Sequence, residues 1–156
     1  MILLETLSLT HVYDGRLVLK DINLKINSGE VFALIGPTGA GKTTLLRLLD
    51  LLEIPTSGNI YFDGVDITHS RRQRADTRRR LSFVQQKPIV FSMSVYDNVA
   101  CGLRWRREKN ETIRRKVDNA LELVNLAENR NRTAKTLSGG ETQRVAIARA
   151  LVTEPE

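Results

Sequence analysis

One turn limits what this chain can fold into more than any other stretch. It lies between an apolar run at residues 31–35 and a leucine-rich run at residues 45–49, and it reads Gly36-Pro37-Thr38-Gly39-Ala40-Gly41-Lys42-Thr43-Thr44. The pattern G-x-x-x-x-G-K-[ST] between a strand and a helix is typical of loops that bind phosphate, because glycine lets successive backbone N–H groups point at one spot. The turn therefore predicts a site for a nucleoside triphosphate.

Lys42 and Thr43 give this loop its chemistry. Lys42 would bring a full positive charge to the terminal phosphates, and the Thr43 hydroxyl would bind Mg²⁺. The first turn of the following helix adds unpaired N–H groups and the positive end of the helix dipole. A glycine-rich turn that merely starts a helix is the simpler alternative, but it leaves the lysine, the threonine and both flanks unexplained.

Composition places the chain among ordinary globular proteins. Its 156 residues, 41% of them hydrophobic, are enough for one domain with a core. A single cysteine, Cys101, rules out an internal disulfide and fits a reducing compartment. There is no secretory signal, and no apolar run approaches the roughly 20 residues of a membrane span. We expect a soluble, cytoplasmic protein.

The positive charge is concentrated in the middle of the chain. Residues 71–116 contain 14 Lys and Arg against 4 Asp and Glu, whereas the remainder contains 10 against 14. A basic middle on a mildly acidic frame indicates a surface facing something anionic, such as lipid head groups or nucleic acid. A solvated arginine-rich helical face explains the pattern equally well.

Hydrophobic periodicity predicts an α/β fold. We expect half-buried antiparallel strands at 3–13 and 22–26, and a fully buried strand of a parallel sheet at 31–35. A helix at 43–52 and a short strand at 60–62 follow. Turns are predicted at Asp14-Gly15, Ser28-Gly29 and Asp63-Gly64.

The second half of the chain has a helical character. We expect a polar helix at 71–80, a brief strand at 81–84 and a helix at 111–126. The last of these has an apolar face formed by Ile113, Val117, Leu121 and Val124. A final helix carries Val145, Ala148, Ala150 and Leu151. The order predicts one domain, residues 1–156, with a helical subdomain inserted in the α/β core at about 70–135.

A second motif precedes the last helix. Ser138-Gly139-Gly140-Glu141 fits the S-x-x-E capping box, in which the serine and the glutamate satisfy each other's backbone N–H groups. The longer segment Leu137–Arg144 resembles the signature of ATP-binding-cassette (ABC) ATPases, and Ser138 lies 96 positions after Lys42. The two motifs in this order and at this separation are specific to that family.

The resemblance implies roles for residues outside the loop. Tyr13 resembles the aromatic residue on which the family stacks adenine, although a plain strand-edge tyrosine is the alternative. Gln86 resembles the Q-loop glutamine, a catalytic residue that reaches Mg²⁺ and the attacking water; neighbouring Gln85 is the other candidate. The segment 91–99 is similar to that of phosphate-type or tungstate-type anion importers.

The resemblance also implies an assembly. Two ATP-binding subunits, identical or not, form a head-to-tail dimer, and each ATP lies between one phosphate loop and the partner's signature, here Ser138, Gly139 and Gly140. Closure drives a transmembrane permease, so the subunit lies on the inner face of the cell membrane. No direct contact with nucleic acid is expected.

The family's Walker B aspartate, catalytic glutamate and switch histidine have no counterparts in residues 1–156. His11 and His69 both precede the signature. We therefore expect a truncated chain, with C-terminal strands of the fold missing, turnover near background and an unpaired, aggregation-prone sheet edge. Two alternatives remain open. One is a soluble ABC ATPase that acts on ribosomes or nucleic acid, supported by the Arg71–Arg80 cluster; the other is an inactive fragment.

Overall fold

The chain begins with a long antiparallel hairpin, β1 (Ile2–Tyr13) and β2 (Arg16–Asn27). The computed structural model, which describes residues 1–156, joins these strands at Asp14-Gly15. Both turn residues have positive φ angles, 47° and 77°, as in the type I′ turn that suits right-twisted strands. The strand predicted at 3–13, its antiparallel pairing and the turn are confirmed, while β2 starts earlier than predicted.

Residues 1–81 and Glu156 form one compact unit around this hairpin. β3 (Ser57–Phe62) pairs with the other edge of β1 and β4 (Val65–Asp66) with β3, giving the antiparallel order β2-β1-β3-β4. The helices of this unit are α1 (Lys42–Leu49) and α2 (Arg71–Arg78). The helices predicted at 43–52 and 71–80 therefore exist but end earlier.

The core of this unit joins α1 to the sheet. α1 buries Leu45, Leu48 and Leu49, which share one face because they recur at three- and four-residue spacing. They belong to one apolar cluster with Leu9 of β1 and Ile60 of β3, both completely buried. The leucine-rich run after the phosphate loop is therefore what anchors the loop to the sheet.

The predicted buried strand at 31–35 is wrong. These residues form no strand, and Val31 and Ile35 are 97% and 93% exposed. A strand buried on both faces needs neighbouring strands and covering layers. The sheet of this structure is wholly antiparallel and offers no partner to this segment. The strand predicted at 81–84 does not form either.

Residues 82–155 form a second compact unit, which is helical. Its elements are α3 (Val95–Trp105), α4 (Asn110–Leu123), α5 (Gly139–Leu151) and short 3₁₀ turns at Ala127–Asn129 and Ala134–Thr136. The apolar face predicted for the helix at 111–126 is buried in one cluster with residues of α3 and α5. Of the α5 residues singled out, Val145 and Ala148 are buried, while Leu151 is 43% exposed.

Sequence reasoning missed α3. Its start carries a usable signal, because Ser94 caps the helix by accepting a bond from the Asp97 N–H. α3 contributes four completely buried residues to the cluster: Val95, Val99, Ala100 and Leu103. Whether residues 70–135 form a helical subdomain inserted in one α/β core is not tested by the division of the chain into two units, and it stays a prediction. None of the helices combines the length and the apolar character that crossing a membrane requires.

Gly58 at the start of β3 generates a stability prediction. Its φ is +86°, and a Cβ there would lie 2.4 Å from the Ser8 carbonyl oxygen. We expect Gly58→Ala to lower the free energy of unfolding by about 2–5 kcal/mol, measured by urea denaturation. Gly15→Ala is the matched control, because Gly15 has φ +77° but no atom within 4 Å of such a Cβ. An equal loss in both variants would contradict the overlap argument.

Asp50, which follows α1, makes stability depend on pH. Burial raises the pKa of this carboxyl to about 6, against a smaller opposing effect of Arg78. Between pH 4 and 6 the unfolded chain releases this proton while the folded chain keeps it, so stability falls as pH rises. We expect Asp50→Asn to be more stable than wild type above pH 6, by about 1–2 kcal/mol, because partial exposure of the carboxyl screens the effect. The advantage should vanish below pH 4.

Urea denaturation across this pH range measures the effect. Asp76→Asn, on the exposed side of α2 where the carboxylate is 68% accessible, is the control. The same pH dependence in both variants would contradict a role for the burial of Asp50.

Candidate functional site

The phosphate loop is shaped by two left-handed glycines and a close approach to β2. Gly39 and Gly41 both have φ +86°, and Gly41 is the N-cap of α1. A Cβ at Gly41 would lie 2.9 Å from Leu19 Cδ2 and 3.1 Å from the Val18 carbonyl oxygen. Only glycine fits both this conformation and this gap. The loop is therefore held against the sheet at the point where α1 begins.

The Lys42 side chain bonds back to the first two residues of the loop. Its Nζ donates hydrogen bonds of 2.7 Å to the carbonyl oxygens of Gly36 and Pro37. Residues 36–40 are exposed, and so is Thr43 in the first turn of α1. That turn contains no acidic side chain, and Gly41 offers no side-chain cap to its N–H groups. The loop thus presents free donors, a helix dipole and an ammonium group to solvent, a combination suited to an anion.

Tyr13 lies beside this loop. A pocket of about 560 Å³ is lined by Tyr13, Asp14, Arg16, Leu17, Val18 and Gly39. The Tyr13 ring is 40% exposed, so part of it is available for stacking. The pKa of the phenol is raised, chiefly because its hydroxyl donates a hydrogen bond to the Glu53 carboxylate. The structure thus brings the predicted base-stacking residue and a loop glycine to one pocket.

Sequence reasoning missed Glu53 and its neighbours. Glu53 Oε1 pairs with Arg47 Nε of α1 at 2.8 Å, and its backbone oxygen accepts a bond of 2.6 Å from Arg74. Forty residues separate Glu53 from Tyr13. No pattern in the sequence predicts this contact, because it depends on the path of the chain after α1.

The start of α5 has the capping box that the sequence predicts. The Glu141 N–H donates to Ser138 Oγ at 3.3 Å, and the Ser138 N–H donates to Glu141 Oε2 at 2.8 Å. The second of these bonds is the main cause of the lowered pKa of the Glu141 carboxyl, and Arg132 lies 3.4 Å from it. Ser138 therefore serves the helix itself.

Gly139 and Gly140 are not explained by the fold. Neither has a positive φ angle, and a Cβ at either position would meet no atom within 4 Å. Neither conformation nor packing within this chain requires glycine at these two positions. Both lie open at the N-terminus of α5.

Gln86 lies in an irregular, exposed segment of the second unit. Its neighbour Gln85, together with Phe83, Ile89, Phe91 and Trp105, helps to line a separate pocket of about 460 Å³ within that unit. Gln86 does not line it. Its assignment as the catalytic and Mg²⁺-binding glutamine stays a prediction, as do the nucleotide contacts of Tyr13, Gly36 to Thr44, and Ser138 to Gly140. No group of three His, Cys, Asp or Glu side chains capable of holding a metal occurs.

The basic stretch at 71–116 is partly used inside the chain. Buried Arg74 donates to three backbone oxygens, those of Leu51, Glu53 and Thr68. Arg104 pairs with Asp97 at 2.6 Å, and Lys116 with Glu108 at 3.4 Å. Several of these cations are therefore structural or paired, which weakens the case for a continuous nucleic-acid surface.

A family model described as ABC transporter matches residues 19–156. The chain belongs to this family. The identification made from the phosphate loop and the Leu137–Arg144 segment is therefore confirmed.

Curated members of the ABC transporter family align along most of the chain. "Phosphate import ATP-binding protein PstB 2" of Natronomonas pharaonis is 44% identical over 98% of this chain and 57% of its own length. "Methionine import ATP-binding protein MetN" of Vibrio vulnificus YJ016 is 47% identical over 88% of this chain and 41% of its own. The chain thus spans about half the length of these relatives.

Solved ABC structures share the fold. CbiO1 from Clostridium perfringens, described as part of the ABC transporter complex cbiONQ, has a TM-score of 0.89 at 38% identity over 99% of this chain and 62% of its own. The cassette MJ0796, dimeric and bound to ADP and Pi, has a TM-score of 0.88 at 30% identity over 97% of this chain and 70% of its own. The predicted fold class, an ABC-type α/β fold with an N-terminal antiparallel layer, is confirmed.

The capping box of α5 predicts a pH effect on stability. Because the pKa of Glu141 is lowered in the folded chain, its contribution is present above the ordinary glutamate pKa and lost as pH falls through the folded value. Gln can occupy the same box but cannot titrate. We therefore expect Glu141→Gln to be less stable than wild type at pH 7, with the difference shrinking below pH 4.5.

Thermal unfolding between pH 3 and 7 tests this expectation. Glu122→Gln, on the exposed side of α4, is the control and should follow wild type throughout. A Glu141→Gln deficit that does not change with pH would contradict the electrostatic explanation.

Proposed function

We propose that this chain is the nucleotide-binding part of a subunit that binds and hydrolyses ATP to power an ABC importer of a small solute. The observation that carries the proposal is the pocket shared by Tyr13 and Gly39, next to a loop whose Lys42 has no acidic partner. The pocket has room for a base, and the adjoining loop provides donors for a phosphate chain.

Lys42 and the start of α1 are the phosphate-binding groups of this proposal. Lys42 exchanges its bonds to the Gly36 and Pro37 oxygens for charge-assisted bonds to the terminal phosphates, which are stronger. The backbone N–H groups from Gly39 to Thr44 surround the remaining phosphate oxygens. The Thr43 hydroxyl, which is exposed, would hold Mg²⁺, and the metal would supply positive charge to the phosphates.

The signature belongs, in this proposal, to the site of a second ABC subunit. Glycines at 139 and 140 that nothing in the chain requires are explained if another surface approaches them closely. The anionic group best suited to the free N–H groups at this helix start is the γ-phosphate of a nucleotide held by the partner. The dimeric state of MJ0796 supports this arrangement. Gln86 is assigned to the attacking water and Mg²⁺.

Import and a permease partner are proposed from the relatives. PstB 2 and MetN are named for the import of phosphate and of methionine, two unlike solutes, so the common element is ATP-powered import rather than one cargo. A phosphate-type anion is the closest guess that the 91–99 segment supports. The pocket lined by Ile89, Phe91 and exposed Trp105 offers an apolar surface for the permease. The subunit would then lie on the inner face of the membrane.

ATP binding tests the proposal. We expect Lys42→Ala to weaken ATP affinity about 10-fold to 100-fold, because the terminal phosphates lose a charged donor. The measurement is fluorescence or calorimetric titration with Mg-ATP. Lys20→Ala, which removes an exposed lysine of β2, is the matched control and should bind like wild type. Equally poor binding by wild type and Lys42→Ala would overturn the proposal and favour an inactive phosphate loop.

A further inference from the structure

The side of the Tyr13 ring away from solvent is fixed by two other side chains. Its hydroxyl donates a hydrogen bond to the Glu53 carboxylate. The His11 ring meets it edge-on, with centroids 4.6 Å apart and planes at 89°. His11 Nε2 lies 3.6 Å from Glu53 Oε2, too far for a hydrogen bond, and both ring nitrogens are buried without partners. The hydroxyl bond to Glu53 is therefore the one polar contact that anchors the hydroxyl end of the Tyr13 ring, while the edge-on His11 ring limits rotation of its plane.

Glu53 is itself held from two directions. Arg74, which is 6% exposed, donates to the backbone oxygens of Leu51 and Glu53 at 2.9 and 2.6 Å, and so fixes the chain that carries the carboxylate. Arg47 Nε contacts Glu53 Oε1 at 2.8 Å, while Oε2 accepts the Tyr13 hydroxyl. The two oxygens of one carboxylate thus join the last residue of β1 to the helix that follows the phosphate loop. The Glu53 side chain is 18% exposed, whereas Arg47 is 50% exposed, so the carboxylate is the most shielded of the three groups in the link.

We infer that Glu53 is a positioning residue for the base of the bound nucleotide. Its carboxylate holds the hydroxyl end of the Tyr13 ring where a base stacks, and through Arg47 it ties that position to α1 and the phosphate loop. The inference rests on the proposed nucleotide site and adds to it a residue that contacts neither the phosphates nor the pocket.

The physical consequence is preorganisation. A tyrosine at a strand end would otherwise sample several orientations, and the entropy lost in ordering it would weaken the binding of the base. With the ring held in advance, a base gains its stacking without that loss, and stacking of this kind tolerates any base because each has a π-face. The effect reaches only ligands that have a base. A bare phosphate chain, bound by Lys42 and the helix start, is indifferent to the orientation of Tyr13.

Titrations of the purified protein with ATP and with inorganic tripolyphosphate separate these contributions. We expect Tyr13→Phe, which keeps the ring and loses the hydroxyl, to weaken ATP binding about threefold to tenfold. Glu53→Ala should do the same, and the double variant should be no weaker than the poorer single variant, because both remove one interaction. Glu53→Gln keeps an acceptor for the phenol but loses the second oxygen, which pairs with Arg47, so its ATP affinity should lie between those of wild type and Glu53→Ala.

Tripolyphosphate affinity distinguishes positioning of the base from a structural role, because a variant that damaged the loop would also bind tripolyphosphate more weakly. This affinity should remain within about twofold of wild type in every variant, since the loop is intact. Tyr61→Phe, which removes a hydroxyl from β3 of the same sheet, is the matched control and should change neither ligand.

Two results would overturn the inference while leaving the proposed function standing. One is unchanged ATP affinity in Tyr13→Phe and Glu53→Ala, with binding still dependent on Lys42. The other is an equal loss for ATP and tripolyphosphate, which would mean that Glu53 supports the fold of the loop rather than the base. Wild-type protein that binds neither ligand would overturn the proposed function and this inference together.

Discussion

The close approach of Gly41 to β2 is the constraint on which the candidate site depends. The loop lies so close to β2 that a Cβ at Gly41 would overlap Leu19 and crowd the Val18 carbonyl. The beginning of this same strand forms a wall of the Tyr13 pocket. The leucines of α1 then fasten the helix to the sheet from the other side. Phosphate donors and a stacking surface are thus placed next to each other by one backbone contact.

Features set by neighbouring residues could be predicted from the sequence. The Asp14-Gly15 turn, the apolar face of α4 and the Ser138–Glu141 box each depend on dihedral angles or spacings within a few residues. The segment 31–35 shows the limit of that reasoning. Its five apolar residues describe a strand that other strands must flank, and its conformation follows from partners, not from composition. The apolar pattern at 31–35 indicates that a strand there would need neighbouring strands, but it does not show whether residues 1–156 provide them.

Glu53 illustrates a second limit. A glutamate after a helix carries no signal of its own, and its importance comes from Arg74 closing the chain between α1 and β3. That arginine belongs to a run that the sequence presents simply as basic. Arg74 is buried and donates its hydrogen bonds to backbone carbonyls. The net charge of a segment therefore does not show which of its cations can bind an anion. The same run therefore contributes to the surroundings of Tyr13 indirectly, because Arg74 holds the backbone of Glu53 and Glu53 accepts the Tyr13 hydroxyl.

The two glycine-flanked helix starts differ in a way that bears on how ATP would bring two subunits together. At α1 the N-cap is a glycine without a side chain, so the N–H groups of the first turn stay free, and Lys42 adds a charge. At α5 the Ser138 and Glu141 side chains already satisfy part of the first turn, and the Glu141 carboxylate opposes an approaching anion. In the proposed site, the first start would hold a phosphate chain by itself, whereas the second would contribute only when another site delivers the phosphate. If the proposed dimer forms, pairing a strong site with a weak one on a second subunit would make dimerisation depend on the nucleotide, because the anion would link the two surfaces.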